Sequence, residues 1–377
     1  LATGRIGKPG MGPLSLTGQP NAMGGRETGG MANTLAAHLD IENPDHRAAV
    51  RAFWNSPRIA QGPGLKAVEM FRAAADGRIK ALWIAGTNPV VSMPEADGVA
   101  EAIRACRFVV VSDIVADTDT VALADVVLPA LGWAEKDGTV TNSDRTISRQ
   151  RAALSAPGQA RADWAIFAEV GRRMGWLDAF DFASPAQIFR EHAALSGVAG
   201  TLGRDFDISG LAALDEASYD ALEPVRWPVT PTRSGGRFFG DGRFFTPSGK
   251  GRMVAVRQAA PAAKRAPRYP FRLNTGRVRD QWHTMTRTGR AARLSRHLAE
   301  PFLQINPSDA DRLGIGPAEI ARVFSPTGSA LLRALITTDV APGTPFAPMH
   351  WTGQTAPTAR IGTLIAAATD AVSGQPE

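Results

Sequence analysis

The sequence predicts an α/β doubly wound domain followed by a C-terminal β-barrel domain. Three observations point there. Strand-like and helix-like periods alternate from about residue 61 to 225. The run Phe108-Val109-Val110-Val111 is wholly apolar, and from Tyr269 onward the segments are short, strand-like and separated by turn residues. Alternating strands and helices build parallel sheets, and an unbroken apolar strand marks burial on both faces. Many short strands between turn signals mark a small barrel.

Residues 1–60 are rich in Gly, Pro and Asn, with helical signals near 31–38 and 44–55. Asn43-Pro44-Asp45 has the form of a helix start, with proline in the first turn. The first residues carry neither an initiator Met nor a signal pattern, so this stretch is expected to be the end of an active-site domain that begins upstream. In 61–225, Gly64 to Ala75 is amphipathic at helical spacing through Leu65, Val68, Met70 and Phe71. Ile79 to Gly86 then reads as a strand, Thr87-Asn88-Pro89 as a turn, and Glu95 to Ala105 as a helix. Arg107 to Ser112 is the second strand, Thr118 to Ala124 a brief helix, and Asp125 to Pro129 the third strand. Ala162 to Met174 is a further amphipathic helix. Residues 226–268, dense in Pro, Gly and Arg, read as a linker. In 269–377 the expected strands are Phe271 to Asn274, Phe302 to Ile305, Glu319 to Phe324, Ala330 to Ile336 and Pro345 to Met349.

Composition narrows the function. Apolar content of 44% and charged content of 21% belong to a globular chain, and no stretch reaches the roughly 18 to 20 apolar residues of a membrane helix. A net charge of +6 favours anionic partners. The tryptophans are scattered singly, which is a poor platform for nucleic-acid bases, whereas cofactor phosphates or a small inorganic anion suit the charge. The single cysteine, Cys106, excludes an internal disulfide framework and any multi-cysteine metal site within the chain, and a buried structural thiol is its expected role. The six histidines form no metal-binding signature; His38, His46, His192 and His297 are expected at the surface or in caps.

Ligands of a doubly wound sheet lie beyond the carboxyl ends of its strands. Asn88, Ser112-Asp113 and Glu135-Lys136-Asp137-Gly138 occupy such places, and carboxylates there suit ribose hydroxyls or a guanine edge. There is neither a GxGxxG nor a Walker loop, which disfavours an ordinary NAD or ATP site. The densest polar cluster is Thr275-Gly276-Arg277-Val278-Arg279-Asp280-Gln281-Trp282-His283-Thr284. Hydroxyls, backbone amides and guanidinium groups are what a diphosphate requires. At the other end of the chain, five of the thirteen residues from Gly18 to Gly30 are glycine, among them Gln19, Asn21, Arg26 and Glu27. Such a segment is either a polar surface loop or a backbone that lies directly against a ligand.

These motifs, with Ala124-Asp125-Val126-Val127-Leu128-Pro129 and Trp133 to Asn142 between them, occur in an order that resembles the C-terminal part of the molybdopterin oxidoreductases of the dimethyl-sulfoxide-reductase type. Within that family the Gly18-Gln19-Pro20 form with Arg26-Glu27 is most similar to assimilatory nitrate reductase catalytic subunits. The resemblance implies a bis-molybdopterin guanine dinucleotide cofactor holding molybdenum, with an iron–sulfur cluster and the metal's own ligand supplied upstream. It implies a barrel of the double-psi type. It implies that Asn88, Ser112, Asp113, Lys136 and Asp163 bind the guanine dinucleotides, and that Thr275, Gly276, Arg277, Trp282, His283 and Thr284 bind diphosphate and pterin. Arg26 stands where nitrate reductases place an arginine beside the metal, and Trp351 where the family places an aromatic near the substrate funnel. Gly362 stands where the family pattern has an Asn. The implied reaction is reduction of nitrate to nitrite in the cytoplasm, with electrons from a donor protein or reductase subunit and with neither nucleic acid nor membrane as partner. A formate dehydrogenase or another oxyanion or N-oxide reductase of the same family is the alternative, and a non-catalytic iron–sulfur structural homologue is the alternative of another class.

Overall fold

The computed structural model of the chain describes residues 1–12, 20–257, 264–371 and 373–376. In chain order the elements begin with helices α1 (Ala22–Glu27), α2 (Pro44–Phe53) and α3 (Ala67–Ala75), strand β1 (Ala81–Ala85), then α4 (Pro89–Ser92) and α5 (Ala96–Ala105). Strands β2 (Phe108–Asp113), β3 (Val126–Pro129), β4 (Gly138–Thr141) and β5 (Thr146–Gln150) follow, then α6 (Asp163–Arg173), α7 (Pro185–Thr201) and α8 (Glu216–Asp220). The short strands β6 (Val225–Arg226), β7 (Val229–Thr230), β8 (Arg233–Ser234) and β9 (Asn274–Gly276) precede α9 (Ala292–Ser295). The chain ends through β10 (Phe302–Ile305), α10 (Pro307–Leu313), β11 (Ile320–Phe324), β12 (Ser329–Ile336) and β13 (Phe346–Pro348). Two compact units result. One is Leu1–Leu65 with Leu131–Gln258, the other Lys66–Ala130 with Ala259–Glu377.

In the first unit β4, β5 and β6 form an antiparallel sheet, with Thr141 opposite Ile147 and Ile147 opposite Val225. Its core gathers Leu39, Ile147, Leu195, Phe206, Ile208, Tyr219 and Trp227. Helix α2 starts where the sequence predicts. The Asn43 side chain accepts the Asp45 and His46 N–H groups at 2.9 and 3.3 Å, a cap that satisfies two orphan donors, and Pro44 sits where no N–H is needed. The long α7 begins the same way, with Ser184 as cap and Pro185 in the first turn. The expected helix over 31–38 is absent, because Ala37 and His38 adopt φ of 57° and 58°, left-handed values no helix tolerates.

In the second unit β1, β2 and β3 form a parallel sheet in that order, with Ala81 opposite Phe108 and Val110 opposite Val126. Leu82, Ile84, Val109 and Val111 pack against Phe71 of α3 and against Val99 and Ile103 of α5. The apolar run of β2 predicts burial on both faces, yet Phe108 is 48% exposed and Val126 and Val127 are open as well, so helices cover one face among the described residues. Cys106 is buried beside this sheet. Its Sγ lies 3.6 Å from the Ala102 carbonyl oxygen, and burial pushes the thiol pKa up, which makes it inert.

A second sheet of the same unit has the order β11-β12-β10-β13-β9, mixing parallel pairs (β10 with β12, β13 with β9) and antiparallel ones. It is open: β11 and β9 are its edges, and no described pairing closes it into a barrel. Leu303, Ala321, Ala330, Leu332 and Ala347 make its core with Ile361 and Leu364. Gly362 is needed here by packing, since a Cβ would stand 2.7 Å from the Met93 carbonyl oxygen and 2.9 Å from that of Val91. An Asn side chain has no room at this position.

Candidate functional site

In the second unit, loops at the strand ends enclose a small half-open pocket. Asn88, Thr118 and Asp119 come from the parallel-sheet half of the sequence; Thr284, Met285, Gly289 and Arg290 come from the Arg-Trp-His segment; Thr352 and Thr355 come from the loop after β13. Asn88 is buried, and its side-chain oxygen accepts the Thr120 hydroxyl at 2.7 Å, so its amide nitrogen is the group it can offer a ligand. Asp119 accepts the Gly353 N–H at 3.1 Å and so ties two of these loops together. Arg290 is ion-paired with Asp117. A wall of threonine hydroxyls with an amide and a guanidinium is a donor set suited to a diphosphate or a pterin.

The segment from Thr275 to Thr284 owes its shape to His350, which the sequence marks only within Met349-His350-Trp351, a weaker polar cluster of the same kind. His350 is fully buried; its Nε2 accepts the Val278 N–H at 3.0 Å and its Nδ1 donates to the His283 carbonyl oxygen at 2.7 Å. Those partners assign a neutral ring with the proton on Nδ1. Thr275 and Gly276 lie in β9, and the Arg277 guanidinium sits 4.8 Å from the centroid of the Trp282 ring, a cation–π contact that gives the half-buried indole a partner. The His283 ring lies 4.3 Å from Trp282, edge to face. Trp351 is buried.

Burial, more than any neighbouring charge, pushes the His350 pKa below its ordinary value, with Arg277 and His283 acting in the same direction against the His283 carbonyl. Because the folded pKa lies below the unfolded one, the unfolded chain takes up the proton first. The stability His350 contributes is therefore complete above about pH 6.5 and lost as pH falls through that value toward the folded pKa. The thermal midpoint is expected to drop between about pH 7.5 and about pH 5.5, and by less in His350→Gln, whose amide does not titrate. An equal drop in both proteins would contradict this.

Ser112 and Asp113 close β2 with their own local partners. The Ser112 hydroxyl accepts the Trp83 indole N–H at 2.7 Å, and an Asp113 oxygen accepts the Ile114 N–H at 2.7 Å. Neither lines the pocket, whereas Asn88 and Thr284 do. Lys136 and Asp163 belong to the first unit, where they pair with each other at 2.9 Å, both about one-third exposed. Thr118, Asp119, Thr352 and Thr355 were not singled out from sequence. The signal available was position: Thr118-Asp119-Thr120 lies beyond the carboxyl end of β2.

In the first unit, Gly18 and Gln19 of the glycine-rich segment lie outside the described residues, and its remainder forms α1. Arg26 is exposed in the last turn, with no carboxylate partner among the described residues. Its neighbour Glu27 is buried, accepting the Thr141 hydroxyl and the Trp227 indole N–H at 2.7 Å each. Burial raises the Glu27 pKa, and these two bonds oppose the rise. The glycines serve different ends. Gly29 has φ of 75° and would put a Cβ 2.6 Å from the Ala36 nitrogen, whereas Gly25 faces open space.

Two of the histidines expected at the surface or in caps are interior. His192 stacks on Phe206 at 5.2 Å, and its pKa is pushed down to about 4, by burial first and His38 second. The buried His46 accepts the Asp40 N–H at 3.0 Å, which ties the chain ahead of α2 to the helix. His38 holds Asp205 at 2.8 Å, and His297 is exposed.

Residues 1–173 match the family model described as molybdopterin oxidoreductase, and residues 271–377 match that of the molybdopterin dinucleotide binding domain. The whole chain is 51% identical to a nitrate reductase of Klebsiella oxytoca and spans 43% of that protein. It is 33% identical, over 93% of its length, to the assimilatory nitrate reductase catalytic subunit of Bacillus subtilis, of which it spans 49%. Over 93% of its length it is also 34% identical to the α subunit of an F420-dependent formate dehydrogenase of Methanocaldococcus jannaschii, spanning 50% of that chain. Acetylene hydratase from Pelobacter acetylenicus shares the fold over 84% of the chain and 45% of its own, with a TM-score of 0.66 at 18% identity.

Proposed function

The chain belongs to the molybdopterin oxidoreductase family, and we propose that it forms part of a molybdenum-dependent nitrate reductase that converts nitrate to nitrite in assimilation. One observation carries this reading. Identity to nitrate reductases extends over the entire chain at 51%, 42% and 41%, above the 34% shared with the formate dehydrogenase α subunit. The chain spans about half the length of these relatives.

The cofactor is bis-molybdopterin guanine dinucleotide, and the donor set of the pocket fits it. Thr275, Gly276, Arg277, Trp282, His283 and Thr284 hold diphosphate and pterin, with Thr118, Thr352 and Thr355 adding hydroxyls. Asn88, Ser112, Asp113, Lys136 and Asp163 serve the guanine dinucleotides. Residues 61–225 hold the guanine-dinucleotide region and 269–377 the pterin-binding region. Residues 1–60 belong to the active-site domain. Bound molybdenum supplies the oxygen-atom acceptance and two-electron chemistry by which nitrate, two protons and two electrons become nitrite and water.

This chain's own contribution to substrate is Arg26. An exposed guanidinium attracts a monovalent oxyanion and donates two parallel N–H bonds to its oxygens, which fixes its orientation. Trp351, buried, is the aromatic that shapes the substrate path. Electrons come from a donor protein through an iron–sulfur cluster whose cysteines are others than Cys106, and the enzyme works in the cytoplasm. No described helix is long and apolar enough to cross a membrane. Acid hydrolysis of the purified holoenzyme is expected to release guanine nucleotide in twofold ratio to molybdenum. Release of another nucleotide, or of none, would remove the cofactor assignment.

A further inference from the structure

Six residues make barely more than one and a half helical turns, too few for α1 to hold a direction unaided. One residue of β4 grips it at both ends. The Thr141 N–H donates to the Asn21 side-chain oxygen at 2.8 Å, just ahead of the helix, and the Thr141 hydroxyl donates to Glu27 at its end at 2.7 Å. The second Glu27 oxygen accepts the Trp227 indole N–H, and the Glu27 carbonyl accepts the Ala37 N–H at 2.6 Å. Glu27 and Thr141 are 3% and 5% exposed, so the side-chain bond between them is shielded from water.

Two further details belong to the same arrangement. Asn21 has φ of 60°, and a Cβ on Gly24 would lie 2.1 Å from the Asn21 side-chain oxygen. Gly24 is therefore the residue that lets Asn21 fold across the helix and reach β4. Consecutive helical side chains diverge by about 100°. With Glu27 pinned inward, Arg26 is fixed on a different side, where it is exposed.

We infer that Asn21, Glu27 and Thr141 form a bracket that sets the direction of Arg26, with Thr141 as its central positioning residue. This rests on the reading of Arg26 as the nitrate-facing residue. The bracket acts on how nitrate is bound and oriented, through Arg26, and touches neither substrate nor cofactor itself. A carboxylate suits position 27 because both side-chain partners there donate. A glutamine still serves, keeping its oxygen for Trp227 and turning its amide to the Thr141 oxygen.

The test uses the holoenzyme with Thr141→Val, Asn21→Gly, Glu27→Gln and Arg26→Ala, reading nitrate KM and kcat separately together with molybdenum content and thermal midpoint. Asn21→Gly removes the side-chain acceptor while easing the left-handed backbone. Thr141→Val and Asn21→Gly are each expected to raise the nitrate KM by about tenfold at unchanged molybdenum content, with kcat altered less, and Glu27→Gln to stay within about twofold of wild type. If Arg26→Ala impairs nitrate use while Thr141→Val and Asn21→Gly leave KM unaltered, the bracket is wrong and the Arg26 reading stands. If Arg26→Ala changes nothing, that reading fails and takes the inference with it. Loss of molybdenum in Thr141→Val, with normal KM in the loaded fraction, would make the residue merely structural and overturn the proposal; should that variant not fold, Asn21→Gly decides.

Discussion

Arg26→Ala in the holoenzyme is expected to lower kcat/KM for nitrate by about 10²- to 10³-fold, while molybdenum and guanine contents stay at wild-type levels. The magnitude is that of losing one charge-assisted, two-pronged contact to an oxyanion, roughly 3 to 4 kcal/mol. The separation of activity from loading follows from where the residue lies. Arg26 is exposed at the end of α1, and it does not line the pocket of the second unit. Arg26→Lys keeps the charge and loses the planar fork, so it should recover a minority of the activity. Steady-state kinetics beside metal analysis check this, and nitrate turnover within threefold of wild type would remove Arg26 from the mechanism.

His350→Ala is expected to act through the other half of the site. Removing the ring strands the Val278 N–H and the His283 carbonyl and leaves a cavity where no side chain is exposed. Buried groups left unpaired cost about 1 to 3 kcal/mol each, before the cavity is counted. The segment that presents Arg277, Trp282 and Thr284 loses its fixed shape, and cofactor content is expected to fall by at least tenfold. His350→Gln, which keeps a donor and an acceptor, restores part of it. Guanine content measured on the purified variants checks the claim, and full loading of His350→Ala would contradict it.

The two predictions mark what the sequence made legible and what it hid. Strand β10 is readable to the residue because Leu303 and Ile305 alternate with less buried neighbours, and α2 is readable because Asn43-Pro44 is a local cap. The β4–β5 hairpin is not. Its turn residue with φ of 74° is Arg145, held there by the Trp227 and Gly236 carbonyl oxygens at 2.7 and 2.8 Å, and no Asn-Gly or Asp-Gly pair announces it. The absent helix at 31–38 has the same kind of cause, since Ala37 is drawn out of helical geometry to meet the Glu27 carbonyl. Helix α7 did carry its Ser184-Pro185 signal, which went unread.

The site follows suit. Asn88 and Thr284, named for their places after a strand and in a polar loop, meet in one pocket. Glu27 was visible only as one more polar residue among glycines, because its partners Thr141 and Trp227 lie 114 and 200 residues away. The structural role of His350 was hidden for a similar reason, being set by Val278 and His283 across 72 and 67 residues. Bonds that close over such separations leave no periodicity, and only the folded chain displays them. The closed barrel expected of 269–377 is likewise beyond periodicity: alternation gives the strands, but closure depends on whether the edges β11 and β9 find partners.

The most direct measurement is the product formed when the purified holoenzyme receives nitrate and a reduced low-potential dye. One nitrite is expected for every two electrons withdrawn, with little reduction of the oxidised dye when that dye and formate are supplied instead. Dye reduced by formate, with nitrate left untouched by a fully molybdenum-loaded enzyme, would contradict it.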